Sequence, residues 1–187
     1  PEDVCHDLEW IGIDASVSHV HQLLELEVEK GFASEKIILG GFSQGGTVAL
    51  RAALRYGRRL GGVIMLSSFV GPVADLQPEG LPEANSKLPV FCAHGEDSAT
   101  PLFAGEMGVE ALRKLGSEVE WHTYPAEMMS TNAHTNAQTN AQTATEQNLL
   151  IADIAAFVQR VTGSPGSKGE AAATPASKAV DVLPSLQ

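Results

Sequence analysis

The sequence predicts an α/β fold with a parallel sheet flanked by helices, on three observations. Short, continuously apolar runs recur at 62–67 (GVIMLS) and 88–93 (LPVFCA), the pattern of strands buried on both faces. Stretches with apolar residues at helical spacing lie before, between and after them. The two kinds of segment alternate along the chain, as parallel strands joined by helical crossovers require.

Taken in order, 13–30 places Val17, Val20, Leu23, Leu24 and Val28 at helical spacing and forms a helix ahead of the first strand. The run Ile37-Ile38-Leu39 marks a strand over 36–42, and QGGTVALRAALRY at 44–56, rich in Ala and Leu, marks the next helix. A strand at 62–67 leads into a Pro- and Gly-containing loop at 71–87, then a strand at 88–93 and a helix over 101–115. A strand alternating apolar and polar residues covers 118–124, and an amphipathic helix over 146–161 closes the fold. Two segments fall outside this pattern. Residues 163–187 are Ala, Ser, Pro and Gly with balanced charge, a disordered tail. Residues 131–142 read TNAH, TNAQ, TNAQ, a repeat too short and polar for a repeat architecture. They define a low-complexity loop insertion over 130–145 within one domain spanning 1–162.

Composition bounds the function. With 187 residues, 43% of them apolar, the chain has enough material for one packed core. No run approaches the roughly 18 to 20 apolar residues that span a bilayer, and no basic-then-apolar leader opens the chain; the expectation is a soluble, cytoplasmic protein with no transmembrane segment. A formal charge of −11 disfavours nucleic acid and anionic lipid surfaces as partners. The charge is uneven, with eight acidic residues and one lysine in 1–30, which reads as a solvated helix face or, alternatively, an acidic docking surface. Cys5 and Cys92 fit buried free thiols in a reducing compartment better than a disulfide. No Cys/His spacing suggests a metal site.

The segment that carries chemistry is Gly41-Phe42-Ser43-Gln44-Gly45, lying between a strand and a helix. Gly-x-Ser-x-Gly in that context is the spacing of a nucleophile elbow, a sharp strand-to-helix turn that exposes the serine hydroxyl on a strained backbone. Gly41 and Gly45 leave room for strand and helix to approach. The blander reading is a Gly-rich turn with an incidental serine. A serine nucleophile needs a general base and a group that orients it, in the chain order Ser, Asp or Glu, His. His94-Gly95-Glu96-Asp97 follows the strand at 88–93, which puts a carboxylate at that strand's C-terminal end, and His122 and His134 lie downstream. His6, His19 and His21 read as surface residues, His94 as a turn residue, and His122 as a mid-strand residue facing a layer of helices.

GGFSQGG, the SSF after the 62–67 strand, HGED and TYPAEMM resemble the acyl-protein thioesterase/carboxylesterase (lysophospholipase-like) family of α/β-hydrolases, over about 9–161. The resemblance implies hydrolysis of acyl thioesters such as palmitoyl-cysteine, or of carboxylic esters including lysophospholipids, by a Ser-Asp-His triad without a cofactor. Palmitoylated proteins or lysophospholipids are then the implied partners. Residue by residue, it carries Ser43 onto the nucleophile and Gln44 onto the residue whose backbone N–H forms half of the oxyanion hole. Asp97 falls on the acid when the alignment is anchored at Pro101, with Ser98 and Glu96 as the neighbouring columns. His134 is the candidate base, carried on a lengthened loop, or else a repeat unit in which His replaces Gln; counting back from Phe157 puts the base near Ala144. Phe69, Val70 and Leu102 fall where the family has an acyl-binding groove, or pack in the core. The chain departs from the family in two places. Met128-Met129 is followed by Ser130 rather than His, and the strands and His-Gly-x-Gly-Asp loop that precede the first helix in the family are not found. The expectation is a partial gene product lacking its N-terminal strands, with the elbow strand at an apolar edge. The alternative to an enzyme is a catalytically inactive fragment acting as an interaction module.

Overall fold

The computed structural model describes residues 12–71, 82–96, 100–125 and 141–163. Strands β1 (Ile38–Phe42), β2 (Gly62–Leu66), β3 (Pro89–Gly95) and β4 (Glu118–Tyr124) form a parallel sheet in the order β1-β2-β3-β4. Helix α1 (Ile13–Glu29) precedes β1, α2 (Gln44–Arg55) joins β1 to β2, α3 (Leu102–Lys114) joins β3 to β4, and α4 (Ala141–Thr162) follows. Because every strand runs the same way, their C-terminal ends share one rim, where ligands bind in open α/β sheets. The elements expected from sequence are all present, most with ends within two residues of the expected ones.

Alternation of side chains splits the core into two layers. On one side Leu39, Val63, Met65, Val90, Cys92 and Trp121 meet Val17, Val20 and Leu24 of α1, Leu50 and Leu54 of α2, and Val109 and Leu112 of α3. On the other, Ile38, Ile64, Leu66, Phe91 and Ala93 meet Leu150, Ile154, Phe157 and Val158 of α4. The central strands β2 and β3 are therefore apolar on both faces, which is why their sequences show no alternation. β1 is an edge among the described strands, and Phe42 on it is 45% exposed.

Four expectations are corrected or refined. β3 continues to Gly95 because His94 and Gly95 pair with Thr123 and Tyr124 of β4; His94 is thus a buried strand residue, not a turn residue. α4 begins at Ala141 and takes in the last residues of the expected insertion, since AQTATE contains good helix formers and no Gly or Pro. Half-buried His21 faces Ala52, whose carbonyl lies 2.8 Å from Nε2. The acidic face of α1 is in part a paired seam: Asp14 meets Arg55 at 2.7 Å, Glu25 meets Arg58 at 3.2 Å, and the Tyr56 hydroxyl donates to Glu25 at 2.8 Å. In the loop before β3, buried Asn85 accepts from the Leu60 N–H and donates to the Tyr56 and Arg58 carbonyls, a brace with no pattern in the sequence to announce it. Cys92 is buried and free, and burial pushes its thiol up to about 12. No helix among the described residues is long and apolar enough to cross a membrane. Cys5, the tail from 164 and most of the TNAQ repeat lie outside the described residues.

Candidate active site

Ser43 alone separates β1 from α2. Its φ of 51° and ψ of −128° put a non-glycine residue in a sparsely populated region, at a cost on the order of 1–3 kcal/mol that persists only where the surroundings over-determine it. Three hydrogen bonds do so. The Ser43 N–H donates to the Leu66 carbonyl at the end of β2 at 2.9 Å, and the Ser43 carbonyl accepts from the Gly46 N–H at 3.0 Å and from the Ser68 hydroxyl at 2.7 Å.

Close approach of strand and helix completes the turn. A Cβ on Gly41 would lie 2.2 Å from the Gly45 carbonyl carbon, and a Cβ on Gly46 would lie 2.5 Å from Ser68 Oγ and 2.7 Å from Ser68 Cβ. At Gly45 a Cβ meets nothing within 4 Å among the described residues. The motif's second glycine is therefore needed as backbone for Gly41 to approach, and the demand for a missing side chain passes to Gly46. Gln44 opens α2; the backbone N–H groups of that first turn are directed toward the helix N-terminus, where the macrodipole favours negative charge.

The rest of the rim is stitched across the sheet. Ser67, with φ of 43°, donates its N–H to the Ala93 carbonyl at 2.8 Å, and its buried hydroxyl has no hydrogen-bond partner among the described residues. The Thr100 carbonyl lies 2.8 Å from Nε2 of His94. A carbonyl only accepts, so Nε2 carries the hydrogen. The Glu96 N–H donates to the Tyr124 carbonyl at 2.9 Å. Phe69 and Leu102 are half-buried, whereas Val70 is a core residue packed on α3 at Gly108, where a Cβ would lie 2.4 Å from Val70 Cγ2.

Asp97, Ser98 and His134 lie outside the described residues; Glu96, the other carboxylate considered, is exposed beyond β3. Ala144, where counting back placed the base, falls within α4. His122 sits in mid-strand on the α4 side, stacked on Phe91 with ring centroids 4.9 Å apart and with Nδ1 3.8 Å from Asp153, and so faces away from the rim. Concavities of about 420 Å³ beside α1 at His21 and Leu26, and about 480 Å³ near Lys36, Pro89 and Glu118, are both remote from Ser43. Sequence reasoning gave no structural role to Gly46, Thr47 or Ser68, although GGFSQGG contains the first and SSF the last. The doubled glycine and a hydroxyl one turn after Ser43 were the available signals.

The phospholipase/carboxylesterase family model matches residues 8–145. Acyl-protein thioesterase 1 of Gibberella zeae is 40% identical over 118 residues, which is 61% of this chain and 49% of that protein. Carboxylesterase SOBER1 of Arabidopsis thaliana is 33% identical over 111 residues, 59% of this chain and 48% of that protein. The crystal structure of Arabidopsis thaliana SOBER1 aligns with a TM-score of 0.64 at 25% identity, covering 80% of this chain and 64% of that one. The chain spans about half the length of these curated relatives.

Proposed function

The chain belongs to the phospholipase/carboxylesterase family, and from there we propose that it carries the catalytic half of a serine hydrolase acting on acyl thioesters, palmitoyl-proteins among them, or on carboxylic esters such as lysophospholipids. The observation that carries this reading is Ser43 itself, a strained residue at a strand-to-helix turn, tied through both its N–H and its carbonyl to β2 and the segment after it.

In this mechanism Ser43 Oγ attacks the acyl carbonyl carbon while His134 takes the hydroxyl proton and Asp97 orients the imidazole. The carbonyl π electrons move to oxygen, and the Gln44 N–H at the head of α2 stabilises that oxyanion. Collapse breaks the C–S or C–O bond, and the thiol or alcohol leaves with the proton from His134. Water, deprotonated by the same histidine, then attacks the acyl-serine, releasing a carboxylic acid and restoring Ser43. Phe69 and Leu102 hold the acyl chain at the rim, with Val70 packed behind them. No cofactor takes part, and the reaction suits a cytoplasmic enzyme.

The test is turnover of a thioester and ester panel of graded acyl length by the full-length protein and its Ser43→Ala, Asp97→Asn and His134→Ala variants. Loss of at least about 10⁴-fold in the Ser43 and His134 variants is expected; unchanged turnover in His134→Ala removes that residue from the mechanism. A second reading, a non-catalytic interaction module, draws on one observation, the exposure of Phe42 on β1, an edge among the described strands. Absence of turnover in the full-length protein would favour it.

A further inference from the structure

We propose that Ser68 is a positioning residue for Ser43: its hydroxyl locks the nucleophile's carbonyl, and with it the strained backbone that presents Oγ, against the segment after β2. The inference rests on the reading of Ser43 as nucleophile and adds a residue that acts through it.

Ser68 is 6% exposed and lies just past the end of β2. Its Oγ sits 2.7 Å from the Ser43 carbonyl oxygen and 3.4 Å from Thr47 Oγ1. Each hydroxyl has one proton. That of Thr47 goes to the Phe69 carbonyl at 2.6 Å, and that of Ser68 goes to Ser43, so the 3.4 Å contact needs no third proton. The result is a two-hydroxyl clasp joining the head of α2 to 68–69. It is closed sterically as well, because Ser68 fills the space a Cβ on Gly46 would occupy. The Gly46 N–H fills the other acceptor direction of the same carbonyl at 3.0 Å. A carbonyl saturated in this way resists the rotation about ψ that would relax Ser43 into an ordinary helical or extended conformation. Removing the hydroxyl leaves the Ser43 carbonyl with the Gly46 N–H as its one remaining donor among these contacts.

The experiment measures phosphonylation by a fluorophosphonate, in which the Ser43 Oγ–P bond forms, the P–F bond breaks, and the hydroxyl proton leaves to the base. The full-length wild type, Ser68→Ala and Ser68→Thr are compared as rate at saturating probe (kinact) and as KI, corrected for folded fraction from urea unfolding. Expected for Ser68→Ala is a fall in kinact of about tenfold, with KI within about twofold, and substantial recovery in Ser68→Thr, which keeps the donor. A merely structural role changes the folded fraction and leaves kinact per folded molecule unaltered; that outcome overturns the proposal while leaving Ser43 as nucleophile. If the Ser68→Thr variant does not fold, Ser68→Cys, a weaker donor, is expected to fall between wild type and Ser68→Ala, and equality with wild type in both the alanine and the cysteine variant overturns the proposal. Absence of any wild-type labelling overturns the catalytic reading and the proposal together.

Discussion

Two connections leave the same rim of the sheet and are built in opposite ways. Between β1 and α2 there is one residue, Ser43, held by three hydrogen bonds and by two glycines that admit no side chain. Between β3 and α3 there are six residues, 96–101, tied at their described ends by Glu96 to Tyr124 and by His94 to Thr100. The first connection stores strain at the candidate nucleophile and fixes it by contacts from β2. The second spans a longer path and draws its anchorage from a buried histidine. Under the proposed mechanism, the first connection would carry the nucleophile, which must sit at one angle, and the second the carboxylate that orients the base.

The contrast predicts a ranked series of effects. Gly41→Ala is the most damaging, because the clash at 2.2 Å is with backbone of Gly45 that cannot move without unwinding α2. A loss exceeding about 4 kcal/mol, or failure to recover folded protein, is expected in urea unfolding. His94→Ala comes next. It empties a buried ring site beside Trp121 and removes the bond to Thr100, for about 3 kcal/mol by the same assay. If His94→Ala proves worse than Gly41→Ala, the elbow is not the more constrained of the two turns.

A smaller, pH-dependent effect concerns Cys92 in β3. Its folded pKa is raised by burial from 9.0 to about 12, so the neutral thiol is favoured in the fold. The contribution to stability is complete below pH 9 and is lost as pH rises toward 12, at about 1.4 kcal/mol per pH unit. Cys92→Ala is expected to flatten the stability profile between pH 9 and 10, before tyrosines contribute; burial and the hydrogen bond to Asp153 also raise the Tyr124 pKa. An unchanged profile would mean that the thiol is not dry. The smallest effect is at Gly45, where a Cβ meets nothing among the described residues. Gly45→Ala is expected to be neutral or to stabilise by up to about 1 kcal/mol, through helix propensity, and a thermal melt lowered by several degrees would show that the second motif glycine is needed after all.

The same contrast explains what the sequence made legible. The elbow follows from a local rule, strand then Gly-x-Ser-x-Gly then helix; β1, β2 and β3 are announced by apolar runs, and β4 by its alternation of apolar and polar residues. Helix α1 was also readable, from Val17, Val20 and Leu24 at helical spacing. Ser68 was not, since its role depends on a 25-residue return of the chain to Ser43, and no periodicity encodes a hydroxyl's single partner. His94 misled because a His-Gly pair has turn chemistry, and only pairing with Thr123 and Tyr124 keeps it in the strand. Asn85 was invisible for the same reason, its three partners being backbone groups. The start of α4 was missed because a search for an apolar stripe overlooks a segment that is helical by propensity. For Asp97 and His134 the assignment is one carried by family resemblance.

The decisive measurement is to treat the full-length protein with a fluorophosphonate and locate the adduct by tandem mass spectrometry of the peptide spanning Ser43, Ser67 and Ser68. A single phosphonate on Ser43, absent after Ser43→Ala, is the expected outcome. An adduct on Ser67 or Ser68, or undiminished labelling of the Ser43→Ala variant, would refute Ser43 as the nucleophile.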